Sequence, residues 1–250
     1  MQLIKSNLLN NFLNLRHAFT TRDGGVSQKP YDSLNLAWHV GDNAQHVETN
    51  HELLSEELGY EKKSLIHMKQ IHSNLVHVVN EEDDFFTPKS CDALITNKKN
   101  TPLMVMVADC SPLLFYDNVQ KVIAVAHAGR AGAFSNIVKN VIDSFVNEFA
   151  CEPQNIYVTI GASIGVCCYE VGEEIYDEAC EIGLEYAVSR RESRYTLDVG
   201  KILQTQLLAC GITKENLEIS DECTCCKNEG YFSYRKSGVT GRFAGVIALK

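Results

Sequence analysis

Val107-Ala-Asp-Cys-Ser-Pro-Leu-Leu-Phe-Tyr-Asp-Asn-Val-Gln-Lys-Val-Ile-Ala-Val-Ala-His-Ala-Gly-Arg-Ala-Gly132 reads as strand end, corner, strand, turn, strand and second corner. Pro102 to Val107 is apolar and stops at Asp109-Cys110; Leu113 to Tyr116 is apolar again; Asp117-Asn118 marks a turn; Lys121 to Ala126 runs into His127-Ala-Gly. Short apolar runs rich in Val and Ile and bounded by turn residues predict buried strands. Cys110 and His127 therefore both fall where a strand stops. Two neighbouring strands of similar length can bring such ends together, and a thiol beside an imidazole there makes a reactive or metal-binding pair.

Working outward, Asp42 to Leu58 has the spacing of a helix, with Asp42 and Gln45 as a capping pair and Gly59 as its stop. Ser64–Lys69, Leu75–Val79 and Asp92–Thr96 read as strands. Of the three histidines here, His72 lies in a polar break, while His67 and His77 alternate with apolar neighbours and are expected to face outward. From Gly132, Phe134, Ile137, Val138, Val141, Ile142, Phe145 and Phe149 recur at helical spacing, which is core packing. The N-terminus of that helix, beside His127-Ala-Gly-Arg, would favour an anion. Asn155–Ile160 is a strand; Glu170–Ile182 and Asp198–Ala209 are helices, the second capped by Asp198; Leu217–Ile219, Tyr231–Tyr234 and Phe243–Leu249 are strands. The polar stretch Val26 to Leu36 is long for a plain connector.

With 250 residues, 45% hydrophobic and 22% charged, and no Pro/Gly/Ser-rich linker, the chain is expected to fold as a single domain, 1–250. A net charge of -9 argues against a general nucleic-acid binder but allows a small anion held by local arginines. No signal-peptide pattern or membrane-length apolar run is read, so the expected location is cytoplasmic, with no membrane partner. The ten cysteines then read as thiols or ligands.

Several pieces then combine: Thr21-Arg-Asp-Gly-Gly-Val-Ser27, Ser33-Leu-Asn-Leu36, Gln70-Ile-His72, Asp92-Ala, Ala108-Asp-Cys110, His127-Ala-Gly129, Tyr169-Glu-Val-Gly172, Phe232-Ser-Tyr-Arg235 and Thr240-Gly-Arg242. Their order and spacing resemble the YfiH/laccase-domain family, once called multicopper polyphenol oxidases and now regarded as purine nucleoside phosphorylases. The resemblance covers nearly the whole chain. It implies an α/β (α+β) sandwich, a mixed β-sheet core with flanking helices. It implies a zinc site formed by His72, Cys110 and His127. It implies phosphorolysis of adenosine, inosine and S-methyl-5′-thioadenosine, with purine nucleoside and phosphate as the partners and adenosine deamination as a side activity. Bacterial members are also linked to peptidoglycan precursor editing. Arg22, Asn35, Gln70 and Arg242, taken from the matched motifs, are the substrate-binding candidates. Two positions depart from the family pattern: Arg130-Ala131 stands where Trp-Arg is usual, and Ala162 follows Gly161 where proline is usual.

Two imidazoles and a thiolate suit Zn²⁺, and three protein ligands are the catalytic rather than the structural pattern. Asp109, beside Cys110, is a further candidate to support the ligands. Three other readings stay open. A copper polyphenol oxidase would want many more histidines than eight, paired as His-x-His, and no such pair occurs. A metal-free amide hydrolase would use Cys110 as nucleophile and His127 as base. A non-enzymatic zinc module could use Cys223, Cys225 and Cys226, although that spacing lacks an evident fourth ligand and Cys167-Cys168 is a weaker signal.

Overall fold

The computed structural model describes residues 1–191 and 194–250. Two sheets lie face to face, each covered on its outer side by helix and loop, an α/β sandwich of the expected class. The first sheet runs in the order Leu3–Ile4, Leu15–Thr20, Phe243–Leu249, Leu103–Val107, with every neighbour antiparallel. The second is mixed and six-stranded: Leu217–Ile219, Ile156–Ile160, Ser111–Asp117, Val122–Ala128, Ala93–Thr96, Val76–Val78. Its four inner strands pair antiparallel, and each outermost strand joins in parallel.

Side-chain alternation along each strand sorts the layers. Leu103, Val105 and Val107 turn inward to meet Leu114, Tyr116, Ile123 and Val125 of the second sheet. Met104 and Met106 turn the other way, onto Leu54 and Leu58 of the helix Ala44–Leu58. Leu113, Phe115, Val122, Ala124 and Ala126 face the helices Ile137–Phe149 and Val199–Ala209. Phe115 is fully buried at the centre of that layer. Truncating it to alanine should cost about 3–5 kcal/mol.

One hairpin positions the chemistry. Ser111–Asp117 pairs with Val122–Ala128 so that Ser111 faces Ala128 and Pro112 faces His127. At its far end Asp117 Oδ1 accepts the N–H groups of Val119 and Gln120 and closes the turn. The register thus carries Cys110, just before the first strand, to the same sheet end as His127.

Several local expectations change. The helix start is capped by Asn43, whose side chain accepts from the Gln45 N–H, and not by Asp42. Asp42 Oδ2 instead accepts from Ser27 Oγ and Asn35 Nδ2. The long helix after Gly132 is two helices, Arg130–Phe134 and Ile137–Phe149, divided at left-handed Asn136, which caps the second by accepting from the Lys139 N–H. The first of them is only five residues long, so it has little macrodipole with which to hold an anion. Glu170–Ile182 opens with the short strand Glu170–Val171, and its helix is Glu173–Glu181. Tyr231–Tyr234 is not a strand. Tyr231 and Phe232 are core anchors, followed by the single turn Tyr234–Ser237 capped by Ser233. Of Ser64–Lys69 only Met68–Lys69 is regular strand. His67 is buried, with Nε2 against the Phe85 carbonyl at 2.9 Å and its ring near Trp38, so alternation misplaced it. His77 is half-buried and pairs with Asp83 at 2.7 Å. Among the described residues no helix is long and apolar enough to cross a membrane.

Candidate active site

Donor atoms of His72, Cys110 and His127 lie within 4.8 Å of one another at the sheet end described above. Two of the three corners carry unusual backbone. His72 has φ 60°, and Asp109, immediately before Cys110, has φ 83°. A non-glycine residue rarely adopts such angles unless its surroundings hold it there. For His72 the holder is Asp92, which is fully buried and takes the backbone N–H groups of Ile71, His72 and Ser73 together with the Ser73 hydroxyl, at 2.7–3.2 Å. For Asp109 the holders are the Thr224 hydroxyl on Oδ1 at 2.7 Å and the Arg235 N–H on Oδ2 at 2.6 Å.

Asp92 also takes His127 Nδ1 at 2.8 Å. That bond fixes the proton on Nδ1 and leaves Nε2 for Cys110 or a metal ion. The same carboxylate therefore sets the tautomer of one imidazole and the backbone of the other. Burial raises the Asp92 pKa, but His127 and the Ser73 donors outweigh it and hold it at about 2. Burial also opposes charge on Cys110, yet its bonds to His127 and His72 and their charge bring it down to about 6. Burial lowers His127, but Asp92 and Cys110 carry it up to about 9. Without a metal, these opposed shifts favour the thiolate–imidazolium form of the Cys110–His127 pair over the neutral one.

This donor set fits a metal: one thiolate and two imidazoles, with the non-ligating nitrogen of His127 held by a carboxylate. Gly129 completes the fit. A Cβ there would lie 2.9 Å from Cys110 Sγ and 3.5 Å from His72 Cδ2, so only glycine lets the chain pass this close.

The three residues open onto a cavity of about 450 Å³, within the range of small-molecule sites. Ile164 and Val199 give it apolar wall, and Tyr169 gives an aromatic one, with the Arg235 guanidinium 5.1 Å from that ring's centroid. Arg130, Arg235 and Arg242 all line it, as does His39, whose pKa is lowered by burial and by Arg242. Asp109 is the one carboxylate among the lining residues, and both its oxygens are engaged.

Of the four substrate-binding candidates, Arg242 and Gln70 reach this cavity and Arg22 and Asn35 do not. Arg22 bonds the carbonyls of Asp32 and Asn228 and lies over the Phe232 ring, tying loops together. Asn35 is wholly buried and bonds the backbone of Ala37 and Arg242. Gln70 has both ends of its amide on the Met106 backbone, at 2.7 and 2.9 Å, and so braces the His72 corner. Arg130 sits between Glu178, at 2.7 Å, and the Phe134 ring, so the displaced arginine still faces the cavity. Asp92 stands in the Asp92-Ala motif, but the sequence alone assigns it no role. A carboxylate opening an apolar strand was the available signal.

Comparison with known proteins agrees with this architecture. The family described as "Multi-copper polyphenol oxidoreductase laccase" matches residues 16–250. A protein of Corynebacterium glutamicum named purine nucleoside phosphorylase is 39% identical over 237 residues, 94% of each chain. The Escherichia coli protein named purine nucleoside phosphorylase YfiH is 35% identical over 232 residues, 92% of each. The crystal structure of the Bacillus licheniformis hypothetical protein YfiH superposes with a TM-score of 0.91 at 31% identity, covering 97% of this chain and 94% of that one.

Proposed function

Because the chain belongs to the multi-copper polyphenol oxidoreductase laccase (YfiH) family, we propose that it is a zinc-dependent purine nucleoside phosphorylase. Its substrates are adenosine, inosine and S-methyl-5′-thioadenosine, with phosphate as co-substrate. The observation that carries this reading is the meeting, in one cavity, of the His72–Cys110–His127 donor set with three guanidinium groups. Zinc held by these residues supplies Lewis acidity toward an oxygen anion.

The remaining roles belong to the chain. Arg130, Arg235 and Arg242 draw phosphate to the cavity and offset its charge. A phosphate oxygen bonds to C1′ of the ribose as the N-glycosidic bond breaks, and its electron pair leaves with the base, which takes up a proton. The products are the free purine and the sugar 1-phosphate, ribose 1-phosphate from adenosine or inosine and its 5-methylthio derivative from S-methyl-5′-thioadenosine. Tyr169 offers a ring face for the purine, and Ile164 and Val199 keep water from it. His39, held neutral, offers a ring nitrogen to a sugar hydroxyl or the base. Adenosine deamination would need a carboxylate to shuttle protons, and Asp109 is already committed to Thr224 and Arg235.

A copper oxidase fits less well, because the centre offers only two imidazoles. One observation favours a second reading: Cys110, His127 and Asp92 stand in the order nucleophile, base and orienting carboxylate, as a metal-free amide hydrolase requires.

The test is product analysis of metal-assayed protein with inosine, with and without phosphate. Hypoxanthine and ribose 1-phosphate appearing only with phosphate supports phosphorolysis. Base release at the same rate without phosphate overturns it. A thiol-dependent burst with an acyl substrate in chelated protein would favour the hydrolase.

A further inference from the structure

A second cluster of sulfur lies outside the site just described. Sγ atoms of Cys167, Cys168, Cys223 and Cys226 all fall within 4.8 Å of one another. Cys226 Sγ lies 3.6 Å from Cys167 Sγ and 3.4 Å from Cys168 Sγ. We propose that these four cysteines form a separate tetrathiolate site for a structural zinc ion.

The spacing separates this from the alternatives. Four sulfurs bonded to one tetrahedral zinc at about 2.3 Å stand about 3.8 Å apart; here the Cys226 contacts are 3.6 and 3.4 Å and every pair lies within 4.8 Å, so small shifts of the side chains would close the tetrahedron. A disulfide requires about 2.05 Å, and the ten cysteines are free thiols. The ligand register also differs from the Cys-x-Cys-Cys reading of the sequence. Cys223 and Cys226 form a Cys-x-x-Cys pair, Cys225 is not part of the group, and the two missing ligands come from Cys167-Cys168, more than fifty residues earlier. All-sulfur tetrahedral coordination selects a soft ion, and four protein ligands make a closed, structural site.

Backbone bonds hold the two loops together around the cluster. The Ser163 N–H donates to the Glu222 carbonyl, and the Thr224 N–H donates to the Ser163 carbonyl at 3.0 Å. The Gly165 N–H donates to Cys223 Sγ at 3.2 Å, a contact that favours a thiolate over a thiol. Cys167 and Cys226 are exposed, which gives an ion a route in. Binding exchanges four thiol protons for four zinc–sulfur bonds and needs no oxidant or reductant. The clip would brace the catalytic corner through two contacts: the Thr224 hydroxyl on Asp109 and the Ile164 N–H on the Asp109 carbonyl at 2.8 Å, next to Cys110. The four cysteines share no residue with the His72–Cys110–His127 centre, so this site is independent of the phosphorylase activity.

The experiment counts metal in the full chain, reduced, stripped with chelator and reloaded with zinc under anaerobic conditions. Two zinc ions per chain are expected in the wild type, and one in C226S, in C167S/C168S and in H72A. In H72A, zinc should protect four cysteines from alkylation, mapping to 167, 168, 223 and 226, and cobalt loading should give the intense thiolate charge-transfer absorption of an all-sulfur site. The alkylation map needs no change in the cluster, so it stands even if C226S does not fold. One zinc per chain, all of it lost in H72A, would overturn the proposal. So would alkylation of all four cysteines at the metal-free rate in zinc-loaded H72A.

Discussion

Replacing Asp92 by asparagine removes one charge and no volume, yet it should disable the site. Oδ1 takes the His72 N–H at 3.0 Å and His127 Nδ1 at 2.8 Å; Oδ2 takes the N–H groups of Ile71 and Ser73 and the Ser73 hydroxyl. An asparagine amide keeps one oxygen, so one set of donors meets an NH₂ group. If the NH₂ replaces Oδ1, His127 must accept at Nδ1 and carry its proton on Nε2, the nitrogen required for metal. If it replaces Oδ2, the part-buried N–H groups of Ile71 and Ser73 lose their acceptor, at about 1–2 kcal/mol each. In either orientation the carboxylate behind His127 is gone, so metal affinity should fall by about 10–100-fold, and metal-free D92N should be less stable by about 1–4 kcal/mol, from the His72 N–H alone or from those of Ile71 and Ser73. Competition against a chromophoric chelator measures the first, and urea unfolding of stripped protein the second. D92N with wild-type metal affinity and an unchanged unfolding midpoint would refute the role assigned to this carboxylate.

Three further outcomes are expected. G129A should lose metal and activity while keeping its fold, because the added Cβ meets Cys110 Sγ at 2.9 Å; metal content beside far-UV circular dichroism checks it. R242A should raise the KM for phosphate more than that for nucleoside, since Arg242 lines the cavity while its NH1 also bonds the carbonyls of Thr240 and Gly241. Acid should unfold the protein early. Burial lowers His17 from 6.5 to about 4 and His51 to about 3, and His17 Nε2 must stay unprotonated to accept the Ser6 N–H. The unfolded chain binds these protons first, so the stability they contribute is complete above pH 6.5 and is lost as pH falls toward 4. At about 1.4 kcal/mol per unit that is at most about 3.5 kcal/mol for His17, and H17Q should unfold at lower pH than the wild type in a circular-dichroism titration.

Strand alternation and turn residues carried most of the architecture. The stretch from Pro102 to Gly129 shows its three strands and two corners because burial on both faces leaves uninterrupted Val, Ile and Leu. The donor trio was legible only through an ordered set of motifs, since His72 and Cys110 are 38 residues apart and nothing local links them. What escaped were contacts made across the fold. Asp92 serves residues 20 and 35 positions away. Asn35, Arg22 and Gln70 have the residue types of binding groups but spend their hydrogen bonds on backbone. Asn43 took the cap from Asp42 because Ser27 and Asn35 claimed the Asp42 carboxylate. His67 faces inward because it sits where the regular strand has not yet begun, and Trp38 and Phe85 fill the space around it.

The proposed chemistry stands or falls on His72. Wild type and H72A, each reloaded with zinc and cleared of excess, are assayed together for bound metal and for phosphate-dependent hypoxanthine release from inosine. H72A should hold one zinc fewer per chain and have lost at least about a thousandfold in kcat/KM, roughly 4 kcal/mol of transition-state stabilisation. H72A that cleaves inosine at the wild-type rate would show that His72, Cys110 and His127 do not form the reacting centre.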